Sequence, residues 1–292
     1  MEFEVLGPLR IRRPGGPSAP AGRLQRILLA VLLTRANRPV TVDLLGDALW
    51  GEHADRRAAQ KLQLHVHRLR GLLGEPDRLR FDGGGYLLRV LPGELDAERF
   101  ESLAEEAEEA PILARKALDL WRGTPFDGLD VPLLTDEARR LSEIRLHLLE
   151  TLFDAELTAG RHLAIVGELR VLAGTHPLRE RLHALLVRAL YRSGRQADAL
   201  AACREARRVL RTELGLEPGA ELRELEQAIL EGREAEPVGA APVPAQLPAQ
   251  ARGFTAREEE LAELDELAPV SVITGTAGAG KTALALRWAH RS

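Results

Sequence analysis

Apolar positions alternate at the start of the chain, then switch to a helical period. Phe3–Leu6 and Leu9–Arg12 alternate around Gly7-Pro8, which predicts a hairpin or a small sheet edge. Leu24 to Leu33 is dense enough in Leu, Ile and Val for a buried helix, and Asn37-Arg38-Pro39 stops it. Thr41 is placed to cap a helix from Val42 to about Trp50. In the next segment, RRAAQKLQLHVHRLR from Arg56 to Arg70, Leu62, Val66, Leu69 and Leu73 recur on one helical face. Arg57, Gln60, Lys61, Leu64, His67 and Arg68 point the other way at 100° per residue. Gly74-Glu75-Pro76 ends this helix. Leu79–Phe81 and Tyr86–Val90 then flank Asp82-Gly83-Gly84-Gly85 and predict a second hairpin. Strands, three helices and a terminal hairpin over 1–92 make a winged helix-turn-helix.

From Leu95 to about Glu231 the pattern is helical throughout. Amphipathic segments cover 97–109, 112–122, 135–158, 162–174, 179–193, 196–214 and 220–231. Ala155-x-x-x-x-Gly160-Arg161 recurs as Ala189-x-x-x-x-Gly194-Arg195, a spacing of 34 residues. That is the tetratricopeptide period, in which a small residue lets paired helices approach and Gly turns between them. The fold class expected is therefore mainly α: a winged helix-turn-helix over 1–92, then an all-α tetratricopeptide-like domain over 95–232. Residues 233–252, rich in Pro and Ala, read as a linker.

Charge sharpens the picture. The chain carries a formal net charge of −4, but residues 1–92 hold 15 Lys or Arg against 9 Asp or Glu. The remainder holds 25 against 35. A basic module on an acidic body suggests a polyanion partner for one domain only. A helix with one apolar face and one basic, amide-bearing face suits a DNA major groove; a solvated surface helix on an interaction scaffold is the alternative. One cysteine, Cys203, excludes a disulfide framework, fits a reducing cytoplasm and is expected to pack between helices. No apolar run reaches membrane-spanning length, and the first residues lack a signal-peptide pattern. His65 and His67 lie about 200° apart on their helix and cannot share one ion, and neither an HExxH nor a CxxC motif occurs, so no metal is expected. Trp50 and Tyr86 read as core anchors.

Residues 253–292 carry a different chemistry. Val270–Thr274 is a buried-strand candidate. Gly275 to Thr282, GTAGAGKT, follows it and fits the phosphate-binding loop at each fixed position. Gly275, Gly278 and Gly280 would bring backbone N–H groups to phosphates, Lys281 would reach the β and γ oxygens, and Thr282 would hold Mg²⁺. The sequence stops at Ser292 without a second strand or an acidic metal ligand. The segment is therefore expected to be an incomplete P-loop α/β stub, vestigial here, with ATP and Mg²⁺ possible only in a longer form. No catalytic constellation occurs, and an ATP-responsive switch is the second alternative.

The runs ANRPVTVDLLGDALWG, AAQKLQLHVHRLRGLLG and GGGYLLRV resemble the DNA-binding domain of the Streptomyces antibiotic regulatory protein family, which is similar to the OmpR/PhoB type of winged helix. Residues 176–230 and WRGTPFDGL at 121–129 resemble the bacterial transcriptional activation domain that follows it in that family. The resemblance implies a transcriptional activator of a secondary-metabolite gene cluster. Such a protein binds direct repeats in double-stranded promoter DNA as a dimer and recruits RNA polymerase through its sigma factor, with no cofactor required. It implies that Lys61, Gln63 and Arg68 face bases and that His65 and Arg70 face phosphates. Helical phase agrees on Lys61 and Arg68, sets Gln63 and Arg70 on the flank, and puts His65 near the edge of the core stripe. Leu64 is expected against a thymine methyl. Related domains often carry Arg just before the glycine turn, where Asp82 stands here. Arg78 or Arg80 would then have to supply any phosphate contact from the wing, and a fragment spanning 1–95 is expected to keep some DNA binding.

Overall fold

A computed structural model describes residues 1–51, 58–107, 110, 112–233, 276 and 281–289. Met1–Ala235 forms one compact unit and Glu236–Ser292 a second.

The first unit begins with a three-stranded antiparallel sheet, β1 (Glu2–Glu4), β2 (Arg10–Arg13) and β3 (Gly16–Ser18). Phe3 opposes Ile11 in its register, and both are fully buried. Helix α1 (Arg23–Thr34) buries every residue from Ile27 to Leu33. Asn37 then takes a left-handed φ of 62°, and its side chain bonds both the N–H and the carbonyl of Val90. This pins the turn to the far end of the module. Strand β4 (Val40–Thr41) leads into α2 (Val42–Trp50), whose first turn is capped by the Thr41 hydroxyl accepting from the Leu44 N–H at 3.3 Å. Helix α3 (Ala58–Leu73) follows, then β5 (Leu79–Asp82) and β6 (Gly85–Leu88). The second sheet has the order β4-β6-β5. A Cβ on Gly85 would stand 2.3 Å from the Val40 carbonyl oxygen, so only glycine lets β6 lie against β4.

Among the described residues seven helices complete the unit: α4 (Asp96–Glu106), α5 (Ile112–Leu118), α6 (Pro132–Thr158), α7 (His162–Thr175), α8 (Glu180–Arg192), α9 (Gln196–Leu214) and α10 (Ala220–Leu230). The repeated Gly-Arg pair makes the same turn twice. Gly160 and Gly194 have φ of 75° and 73°, and the N–H groups of Arg161 and Arg195 reach back to the carbonyls of Glu156 and Leu190. Only a residue free to adopt αL closes a helix this way without strain. Cys203 is buried on α9, and burial lifts its thiol to about 11, so it packs as a protonated apolar group.

Two hydrophobic cores fill the unit, and their border does not follow the boundary read from the sequence. The first runs without interruption from Phe3 through the winged-helix residues to Phe100, Phe126, Leu134, Leu141 and Leu152. The second holds Leu146, Phe153 and the inner faces of α7 to α10. Helix α6 belongs to both. Backbone bonds stitch the same junction: the Phe3 N–H donates to the Glu94 carbonyl, and the Phe126 N–H to that of Val5. Asp96 is buried at the head of α4 and accepts from the N–H groups of Val5 and Leu6 at 2.7 and 3.1 Å. Among the described residues no helix is long and apolar enough to cross a membrane.

Candidate DNA-binding interface

Helix α3 has an inner face and an outer face. Leu62, Val66, Leu69 and Leu73 are each at most 1% exposed. Gln60, Lys61, Gln63, Leu64, His67 and Arg68 are exposed, with Leu64 half accessible. An amide-, amine- and guanidinium-bearing face thus stands in solvent on a helix locked from behind. Gln63, placed on the flank by its phase, is in the open. Arg57 lies outside the described residues.

The lock has identifiable parts. Arg13 on β2 donates to the carbonyl of Leu72, fixing the end of α3 to the first sheet. The Arg70 Nε–H donates to the Leu79 carbonyl at 2.8 Å, tying α3 to the root of the wing and leaving Arg70 half-buried. Its flank position therefore has a structural use besides any phosphate contact.

His65 is also half-buried. Its ring lies 6.2 Å from that of Trp50, and its Nδ1 has no partner. Burial, with help from Arg68, pushes its pKa below the ordinary histidine value. The imidazole is thus neutral at pH 7 and can meet a phosphate as a hydrogen-bond donor, not as a cation. The unfolded chain protonates near 6.5 and the folded chain only lower, so the His65 contribution to stability is lost as pH falls from about 7 through that value. Urea melts at pH 7.5 and 6.0 should show a smaller loss on acidification in His65→Gln than in the parent. Equal losses in both would refute a neutral His65.

The wing corrects one sequence expectation. Arg78 is 5% exposed and clamped between Glu75 and Glu94, so it is unavailable to a phosphate. Its ion pairs brace the wing root against the segment that leads into α4. Arg80 is exposed and pairs only with the exposed Asp82, at 3.3 Å, so its guanidinium stands at the surface of this hairpin. Phe81 is also exposed, edge-on to Tyr86 at 5.2 Å. Nothing in the composition marked Phe81; it lies opposite the buried Tyr86 but on β5, the edge strand of the sheet, and is 57% exposed. Tyr86 is buried and Trp50 packs against the first core, as core anchors do.

In the second unit, Gly275, Gly278, Gly280 and the candidate strand lie outside the described residues. Lys281 and Thr282 open a helix, α11 (Lys281–Ala289), and the Lys281 Nζ donates to the Thr276 carbonyl at 2.8 Å.

The comparisons with known proteins agree with this anatomy. The family described as "Transcriptional regulatory protein, C terminal" matches residues 20–88, and the bacterial transcriptional activator domain family matches residues 94–230. Regulatory protein DnrI of Streptomyces peucetius is 37% identical over 250 residues, covering 79% of this chain and 92% of DnrI. The chain belongs to the Streptomyces antibiotic regulatory protein family. Regulatory protein AfsR of Streptomyces coelicolor is 41% identical across the whole of this chain, which spans only 32% of AfsR. The solved structure of Mycobacterium tuberculosis EmbR in complex with a low-affinity phosphopeptide superposes with a TM-score of 0.75 at 35% identity, covering 80% of this chain and 65% of that one. The family members matched are transcriptional regulators, not enzymes, and the mainly helical fold with an OmpR/PhoB-type module is shared.

Proposed function

We propose that this chain is a sequence-specific activator that lays α3 in the major groove of promoter DNA. The observation that carries this is the division of α3: four apolar residues sealed in the core, and Lys61, Gln63, Leu64 and Arg68 together in solvent. Lys61 and Arg68 donate to guanine O6 or N7, Gln60 and Gln63 offer amides, and Leu64 takes a thymine methyl. Arg57, His67, Arg70 and Arg80 approach phosphates as charges or donors, with His65 as a neutral donor. Two copies bind direct repeats of a promoter in a secondary-metabolite cluster, in the cytoplasm. The acidic helical body faces protein, recruiting RNA polymerase through its sigma factor. No cofactor enters this cycle. Gly275, Gly278, Gly280, Lys281 and Thr282 would hold ATP and Mg²⁺ where a complete nucleotide-binding fold surrounds them.

A gel-shift titration on promoter fragments neighbouring the gene tests the reading. Lys61→Ala or Arg68→Ala should each cost roughly 1–3 kcal/mol of specific binding, relax base preference and leave the melting temperature unchanged. Arg80→Ala should weaken specific and random DNA alike and flatten the salt slope by about one phosphate. Promoter affinity unchanged in both α3 variants would defeat the groove assignment.

A further inference from the structure

Strand register puts one aromatic side chain of the wing in an unusual place. On β5, Leu79 stands opposite Leu88 and Phe81 opposite Tyr86, and Tyr86 in turn stands opposite Val40 of β4. Residues opposite one another on paired strands share a side of the sheet. Val40, Leu79, Phe81, Tyr86 and Leu88 therefore lie on one side. Four of these belong to the core that also takes Leu62, Val66, Leu69 and Leu73 of α3. Phe81 is on the same side and 57% exposed, while Phe3, Phe100, Phe126 and Phe153 are each at most 4% exposed.

The ring is held, not loose. It meets Tyr86 edge-on, with centroids 5.2 Å apart and planes at 75°, and Tyr86 is itself buried. The strand that carries it is fixed to α3 through the Arg70 bond to the Leu79 carbonyl. Phe81 is two residues further on, about 7 Å along β5. Arg70 and Gln63 are seven residues apart and so within about 20° of one another around α3. The wing is thereby tied to the flank of α3 that carries Gln63, and its core side is the side that α3 shares.

Charge on the hairpin favours an apolar contact on that side. Arg80 and Asp82 alternate with Phe81 and so project from the opposite side of β5. They pair with each other, both exposed, and together carry no net charge. The side of the hairpin that continues the core thus presents a ring without a charge beside it.

We infer that Phe81 is a further DNA contact, its ring packing on the deoxyribose of the strand that borders the major groove on the Gln63 flank. The contact rests on the placement of α3 in that groove: with α3 seated there, this strand runs between the helix and the wing. A sugar carries no sequence information, so Phe81 fixes the register in which Lys61, Gln63 and Arg68 meet the bases. Unlike Arg70 or Arg80 at a phosphate, a ring on a sugar releases no counterion, and its share of affinity does not depend on salt. Arg80, on the other side of β5, is left to the phosphates beyond.

The full chain on a promoter fragment neighbouring its gene tests this by two footprints and a salt titration. Protection of guanine N7 from methylation reads α3, and protection of deoxyribose from hydroxyl radicals reads the wing. Phe81→Ala should weaken binding roughly tenfold at every salt concentration, leaving the slope of log affinity against log salt as in the parent. It should lose the sugar protection beside the guanines while keeping the guanine protection at saturating protein. Phe81→Leu, which keeps apolar bulk over Tyr86, should lose less, and it stands in should Phe81→Ala loosen the hairpin. Fragments with one half-site and with two should show the same fold loss. Affinity of Phe81→Ala within twofold of the parent, or a flattened salt slope, would overturn the proposal. So would a loss confined to the two-site fragment, which would give Phe81 to a contact between copies. A parent that protects no guanine would instead strike the groove reading itself, and this contact with it.

Discussion

A fragment ending at residue 95 should show no cooperative melt and no promoter binding, whereas 1–233 should melt cooperatively and bind as the whole chain does. The winged helix is complete in sequence by Val90, but its core is not. Helix α1 packs on α6, and β1 on α4. Cutting after Leu95 bares one side of Phe3, Val5, Leu6 and Leu33, each at most 2% exposed in the intact unit. At about 1.5–3 kcal/mol per large apolar side chain, even partial exposure of four approaches the 5–15 kcal/mol that a domain holds in total. Asp96 is lost as well, which leaves the N–H groups of Val5 and Leu6 without their acceptor. Circular dichroism with thermal melts, beside a gel shift, reads the result. A cooperative melt of 1–95 with promoter affinity close to that of 1–233 would show that the shared core is dispensable.

The second large effect is expected at Arg188. It is 2% exposed, donates to Asp154 at 2.9 Å and also pairs with Glu221. Arg181 joins the same two carboxylates at 2.9 and 2.5 Å. Two guanidinium groups and two carboxylates thus bind α6, α8 and α10 together. Removing one member of a buried ionic group leaves charge without compensation, so Arg188→Ala should cost about 3–5 kcal/mol. Arg188→Met leaves the same two carboxylates with Arg181 alone but fills the space that Ala would leave empty, and should cost less by that packing share. The loss should fall on the second core, so hydrogen exchange should rise in α8 to α10 while promoter affinity holds. A denaturation midpoint for Arg188→Ala equal to that of the parent would refute the role given to this network.

The sequence displayed those elements whose cause is local. Helix α9 spans 196–214 as its periodicity predicts, because Gly215 in αL ends it. Thr41 caps α2 because a hydroxyl before an apolar run needs no distant help. The doubled Gly-Arg turn at 160 and 194 was visible as a repeat. Strands β3 and β4 escaped the pattern: two or three residues carry no period, and β4 exists only because β6 pairs with it from 46 residues away, Val40 opposite Tyr86. Arg78 looked like a phosphate ligand because sequence shows charge but not burial, and Glu94, which neutralises it, lies 16 residues on. The split of α3 was legible from phase alone. The restraint of Arg70 by Leu79 and the neutral state of His65 were not, since both arise from packing against other elements.

Helix α6, 27 residues and about 40 Å long, is set in both cores and works as a lever arm. A tilt of about 5° where the winged helix meets DNA swings its far end by about 3.5 Å, close to the width of an atom. Promoter geometry is thereby magnified. In the proposed complex with direct repeats, one base pair added between half-sites would turn a bound copy about 34° around the duplex axis, and the helical body, which shares a core with the winged helix, would turn with it. Spacing between repeats should then be tolerated in whole helical turns rather than in single steps, a phasing requirement set by the stiffness of one helix.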